Sequence, residues 1–280
     1  MKNSFLMLFG AISLCAIFSF MPYYASAQTE TVLDPEVGLR VSLGMDKKIV
    51  KGLHVTLEEE MRLDDNFTDF NRLQTTIGLR YKFNSYFRMG ISYAMINPYN
   101  SSDESFSFRH RLMLDATGTL KLGRWNLSLK ERFQWTYRAG NINVYQNPRN
   151  MLALKSRLAL KYKGSKVVAP YAYIEMRNVL NAPVVSAYYD GTNYLTEDGS
   201  ASGDPGWFLS GYKGGYVNRL RGAIGVEVTV KKHNVLDFYF LSDYVRDKVL
   251  DANSEGTKLK YFAFKKGYVG WLGASYTFKF

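Results

Sequence analysis

From Val37 to Phe280 the chain returns again and again to a period of two, and this limits its fold more than any other feature. Alternating apolar and polar residues build strands with two unlike faces, because successive side chains on a strand point to opposite sides. Val37, Leu39, Val41, Leu43 and Met45 share one face, and Gly38, Arg40, Ser42, Gly44 and Asp46 the other. Leu53, Val55 and Leu57 stand against His54, Thr56, Glu58, Glu60 and Arg62. Leu73, Thr75, Ile77, Leu79, Tyr81 and Phe83 stand against Arg72, Gln74, Thr76, Arg80 and Lys82. The pattern resumes in 87–95, 109–122, 125–138, 152–163, 171–180, 219–230 and 235–245, and it ends with Gly267 to Phe280, whose even positions are apolar or small. After Ala27 no apolar run reaches the roughly 18 residues of a membrane helix, and no helical period persists.

The connections are lopsided. Tight turns at 47–52, 84–85, 123–124, 164–168 and 231–234 alternate with longer polar segments at 64–70, 98–107, 140–150, 182–218 and 247–266. Short periplasmic turns and longer extracellular loops mark transmembrane β-barrels. In hydrocarbon a sheet must close, so that every backbone donor and acceptor is paired. A last strand ending flush with the chain at Phe280 would be a sticky edge in a soluble sheet, whereas a barrel gives it a neighbour on each side. The sequence therefore predicts an all-β fold, a single antiparallel transmembrane β-barrel. Eleven strands can be counted, which would leave the first and last parallel. The expected number is twelve, within a range of ten to twelve, with Thr29 to Asp34 starting the extra strand.

Residues 1–27 carry one cation, Lys2, then an uncharged run from Phe5 to Met21, then Ala25, Ser26 and Ala27. This is the pattern of a secretory signal peptide cut before Gln28, and it predicts a barrel domain over 28–280 in the bacterial outer membrane. The single cysteine, Cys15, falls in the leader, so the mature chain would have no thiol for disulfides or thiol chemistry. The formal charge of +11 drops by one with Lys2. The basic residues alternate with apolar ones and form no block, which speaks against nucleic acid and for a basic lumen. With apolar faces toward lipid, that lumen receives Arg72, Arg80, Arg109, Arg111, Arg132, Arg157, Arg219 and Arg221, and against them chiefly Asp46, Glu58, Glu60, Asp115 and Glu227. A basic lining lowers the entry barrier for a small anionic solute. A narrow barrel filled by arginine and carboxylate networks is the other expectation.

Glu59 and Glu131 fall on the apolar parity of their strands, where a carboxylate is expensive, and Glu175 has ambiguous facing. A β-bulge, local pairing or a lateral partner could account for them. Of the three histidines, His54 and His233 lie at tight turns. Only His110 sits near the outer rim, flanked at two residues by Phe108 and Leu112 with no serine. No catalytic constellation, metal-ligand cluster or cofactor fingerprint emerges, so no enzyme, metal or cofactor is expected. The 182–218 segment carries Tyr188, Tyr189, Tyr194, Trp207, Phe208 and Tyr212, suited to a lid or a binding surface.

GLRVSLGMDKKI, LHVTLEEEMRL, RWNLSLKERFQWTYR, APYAYIEMRN and the terminal YTFKF resemble a family of bacterial outer-membrane barrels known as domain of unknown function 2490. The resemblance implies an outer-membrane barrel of Bacteroidetes-type bacteria and no established activity. Gly273, Tyr276 and Phe278, with Phe280 last, also resemble the C-terminal signal read by the barrel-assembly machinery, and Trp271 departs from it. The expected partners are thus outer-membrane lipid, that machinery during biogenesis, and a small anion. The expected role is a structural barrel or small-anion pore, with interaction or lipid-related work through loops or outer wall as the alternative.

Overall fold

The structure, a computed structural model, describes residues 30–101, 103–140, 142–146, 148–187, 194–195, 201–202, 207–253 and 259–280. The leader at 1–27 and the side chains of Tyr188, Tyr189, Tyr194 and Trp207 lie outside the described residues. Eleven strands form the barrel: β1 (Glu36–Val50), β2 (Leu53–Asp64), β3 (Asp69–Lys82), β4 (Phe87–Asn100), β5 (Arg109–Leu122), β6 (Trp125–Arg138), β7 (Asn150–Tyr162), β8 (Val168–Ala187), β9 (Trp207–Val230), β10 (Asn234–Ala252) and β11 (Leu259–Lys279). Each pairs antiparallel with the next, and β11 closes on β1 in parallel, from Val269 beside Glu36 to Lys279 beside Asp46.

The barrel thus closes with eleven strands, not the expected twelve. Glu30–Val32 is indeed extended, but it pairs parallel with Phe264–Lys266 of β11, on the edge that β1 itself uses further along. It is the start of that edge, interrupted at Leu33–Pro35. Proline has no N–H to give the ladder, so the break falls there. An odd number of strands, each antiparallel to the next, leaves one parallel seam, whose slanted hydrogen bonds are slightly weaker per residue but leave no open edge.

Side-chain packing supports the seam. Trp271 points inward with its ring 4.1 Å from the Arg40 guanidinium carbon. Its neighbour across the seam is Gly38, where a Cβ would lie 2.5 Å from the indole, so a side chain there would displace the ring. Gly273 serves the same purpose beside Tyr239, whose ring lies 2.0 Å from where a Cβ would be.

Strands β1 to β7 have 12 to 15 residues, whereas β8 to β11 have 19 to 24. Much of what reads as loop at 182–218 and 247–266 is therefore strand, forming a wall that rises beyond the rest of the barrel at the long-loop end. Register shifts follow Arg177, Val179, Ala182 and Val184 in the β8–β9 pair. Each breaks the period of two, which is why the alternation fades at Leu180 while the pairing continues. Pro98 to Ser107 is also shorter as a loop, since β4 runs to Asn100 and Ser105–Phe106 pairs back on it.

The two faces follow the alternation. Leu43, Ile77, Ile174 and Ile224 are 63%, 52%, 65% and 64% exposed on the outer face. The inner face carries most of the charge, but not uniformly. Ala223, Leu241, Val245, Val269 and Trp271 form a buried apolar cluster with Tyr173 and Tyr239 against it. The inside of the β9–β11 wall is packed rather than wholly polar.

Candidate functional site

The charged residues of the interior fall into levels, and cross-strand register decides what each level contains. In the middle the ladder sets Asp115 opposite Arg132, Glu175 opposite Arg157, and Asp243 opposite Arg221. All three pairs close. Arg132 forks onto Asp115 at 2.6 and 2.8 Å, with Lys130 at 3.0 Å. Glu175 is held by Arg157 at 2.6 Å and Lys155 at 2.9 Å, with Arg221 at 3.5 Å. Arg221 forks onto Asp243 at 2.6 and 2.8 Å, while Arg219 and Arg40 approach the same carboxylate at 3.5 and 3.9 Å. Asp243 has no exposed surface and Arg221 only 8%, so on this side the level is filled. Near the tight-turn end Asp46 is clasped between His54 at 2.8 Å and Arg80 at 2.5 Å, and Lys161 pairs with Glu227.

The level next to the long-loop end differs. There the ladder sets like charges opposite one another: Arg62 and Arg72, Arg109 and Arg138, Arg177 and Arg219. Arg72, Arg109, Arg111, Arg138 and Arg177 line a cavity of about 370 Å³, and none has a carboxylate within 4.0 Å among the described residues. Their substitutes are weak. Arg111 donates to the Thr136 hydroxyl at 2.9 Å. Arg138 and Arg177 both turn to the Met151 sulfur, at 3.9 and 3.7 Å, and a thioether is a poor acceptor. The Nε atoms of Arg72, Arg138 and Arg219 are buried without a partner. Among the described residues the one acid lining the cavity, Asp247, already accepts a hydrogen bond from Asn218 at 2.7 Å.

A roof crosses this end. Gln146 and Pro148 reach the cavity, and their segment docks on the tall wall through Gln146 to Asp251 at 2.6 Å and Asn143 to the Ala252 carbonyl at 3.0 Å. The Tyr212 hydroxyl, from the segment read as an aromatic loop, donates to the Val144 carbonyl and fixes the same roof.

Of the eight arginines singled out from sequence, Arg72, Arg109, Arg111, Arg219 and Arg221 meet at the cavity. Arg132 and Arg157 belong to the ion-paired level, and Arg80 to the tight-turn end. Arg177, Asp243 and Asp247 were missed. The signal was there: Asp243 and Asp247 share the odd parity of β10, opposite to Phe238 and Phe240, which are 50% and 44% exposed.

On the outer face, Glu131 accepts the Ser156 hydroxyl at 2.6 Å from directly across the ladder, with no register shift in its strand pairs. Local pairing, not a bulge, accounts for it. Glu59 keeps its parity between Leu43 and Thr75, also without a shift at that point. Glu175, ambiguous in the sequence, faces inward. His110 hydrogen-bonds the Tyr93 hydroxyl at 2.6 Å and stacks with Tyr137, its register partner, six residues along β6 from Glu131. Among the described residues no group of three His, Cys, Asp or Glu is placed to hold a metal. At the terminus the Tyr276 hydroxyl donates to Asn234 at 2.6 Å, Phe278 and Phe280 meet edge to face, and the Phe280 amide donates to the Asp46 carbonyl at 2.9 Å.

A family model described as "Protein of unknown function (DUF2490)" matches residues 40–191, just over half of the chain. The chain belongs to this family. No curated protein matches it. The DUF2490 match runs from β1 through β8, so it contains the five unpaired arginines of the cavity, whereas Arg219, Arg221 and Asp243 lie beyond it.

Proposed function

We propose that this DUF2490 protein is an outer-membrane β-barrel, exported by a leader cleaved before Gln28, whose cationic interior admits small anions. The observation that carries the reading is the division of the barrel: an apolar outer face around an interior cavity of unneutralised arginines. A soluble protein rarely exposes contiguous apolar surface beyond a few hundred Å², and here it runs round the barrel. Hydrocarbon is the solvent that suits such a face. Inside a narrow barrel an anion loses part of its hydration and needs donors in return, which guanidiniums supply. Gly273, Tyr276, Phe278 and Phe280 are the residues we expect the assembly machinery to read. The tight turns would face the periplasm and the roof the exterior. No step of this reading needs catalysis.

A second reading, in which the barrel binds an anion without conducting it, is favoured by the buried Arg221–Asp243 level beneath the cavity. Reversal potentials in planar bilayers separate the two. Under a KCl gradient the pore reading predicts discrete steps with a reversal potential toward chloride. Cation preference or silence would exclude conduction of anions. Fractionation should place a mature chain starting at Gln28 in the outer membrane, and recovery in the soluble periplasm would exclude the membrane assignment.

A further inference from the structure

We propose that the cavity beneath the roof binds a soluble, compact anion carrying two or more phosphoryl groups, gripped by Arg72, Arg109, Arg111, Arg138 and Arg177. The inference deepens the anion-admitting reading and rests on it for the site, though not for conduction.

Charge is the first argument. Among the described residues, five guanidiniums share one cavity with no carboxylate within ion-pair distance, and the single acid in the lining is engaged by Asn218. Like charges directly opposite on a ladder destabilise it, and here Arg109 faces Arg138 and Arg177 faces Arg219. Such an arrangement is relieved by a ligand that brings several negative charges at once. A monovalent anion would leave most of the repulsion in place.

Geometry is the second. A guanidinium presents a planar fork suited to two oxygens, and phosphoryl groups offer enough oxygens to meet several forks from different directions. Chloride has no such directionality, and one carboxylate engages about one fork. The buried, unpartnered Nε atoms of Arg72 and Arg138, and the turn of Arg138 and Arg177 toward the Met151 sulfur, mark donors without adequate acceptors. A buried donor left without an acceptor carries its full desolvation penalty.

Size and enclosure are the third. About 370 Å³ is room for roughly a dozen water volumes, enough for a di- or triphosphate with a few waters and too little for a polymer. The lining comes from the inner faces of strands around the barrel and from Gln146 and Pro148 in the roof. A lipid headgroup tethered by acyl chains outside would have to cross the wall. A soluble solute fits better.

Calorimetry on the folded, detergent-solubilised protein at fixed ionic strength tests this, with inorganic tripolyphosphate as the probe. Saturable binding at one per barrel is expected, at least tenfold tighter than orthophosphate. Combining Arg111→Gln with Arg177→Gln should weaken it at least tenfold, while Lys161→Gln near the tight turns should leave it unchanged. Heat-modifiable migration in gels verifies folding. If the double variant does not fold, Arg111→Lys keeps the charge, loses the fork and should still weaken binding. Tripolyphosphate binding no tighter than orthophosphate, or indifferent to these substitutions, would overturn the proposal, as would displacement of tripolyphosphate only by a phosphorylated lipid and not by soluble pyrophosphate. Chloride-selective current without tripolyphosphate binding sinks this inference and leaves the pore reading. Binding without current does the reverse.

Discussion

In the middle of the barrel the ladder brings Asp115 to Arg132, Glu175 to Arg157 and Asp243 to Arg221, whereas nearer the roof it brings Arg72 to Arg62, Arg138 to Arg109 and Arg177 to Arg219. The backbone geometry is the same at both levels, and so is the dominant residue type. The middle level neutralises its arginines with strand neighbours. Among the described residues the upper level leaves Arg72, Arg109, Arg138 and Arg177 without a carboxylate around a cavity, while Arg62 and Arg219 turn to Glu60 at 2.5 Å and Asp243 at 3.5 Å. The difference teaches that a basic inner parity has two meanings. Where register supplies a carboxylate, the arginine holds the wall together; where it supplies another arginine and no described acid lies within reach along the strands, as for Arg72, Arg109, Arg138 and Arg177, the partner has to come from solution.

The contrast can be broken from either side. The largest effect is expected for Asp243→Asn. It takes the forked carboxylate from buried Arg221, leaving only Glu175 at 3.5 Å, and removes the common anchor of Arg219 and Arg40, and breaking a buried pair costs about 3–5 kcal/mol. A fall of that size in urea-induced unfolding from micelles, followed by tryptophan fluorescence, would support the structural role of the middle level. Asp115→Asn should cost less, toward the lower end of the roughly 1.5–3 kcal/mol of a charged hydrogen-bonded contact, since Arg132 and Lys130 are each 28% exposed. For Arg111→Gln the sign should reverse: the unfolding midpoint stays or rises, because the substitution removes charge from a crowded cationic cluster. A loss as large as that of Asp115→Asn would mean that the two levels do not differ. The smallest effect is expected for Glu131→Gln on the outer wall. Glutamine still accepts the Ser156 hydroxyl, so heat-modifiable migration should not change.

The alternation, together with the lopsided connections, carried the barrel. Leu43, Ile77, Ile174 and Ile224 face outward as their parity requires, because one slip in register would invert a whole strand. Strand number was harder to read. Glu30–Val32 has the composition of a strand, but only its pairing reveals that it extends an existing edge. The height of the β8–β9 wall was hidden by register shifts that spoil periodicity without ending the hydrogen bonding. Parity also turned Arg72 and Arg111 inward in the reading of the sequence. It could not say that Asp115 meets Arg132 while Arg109 meets Arg138, since that depends on turn length and register. Asp243 is the clearest case: an acid on the inner parity of β10 becomes the anchor of three arginines once β9, β10 and β1 are brought together.

A ligand that binds only the folded state raises its stability by an amount set by concentration over Kd, so the central claim can be read from one pair of melting curves. The unfolding midpoint of the micelle-embedded barrel is measured with and without inorganic tripolyphosphate, for the native chain and for the Arg111→Gln, Arg177→Gln variant. A rise in the native chain that vanishes in the variant is the predicted result. No rise in the native chain, or an equal rise in both, would contradict the assignment of the upper cavity as the place where the barrel's unpaired arginines find their partner.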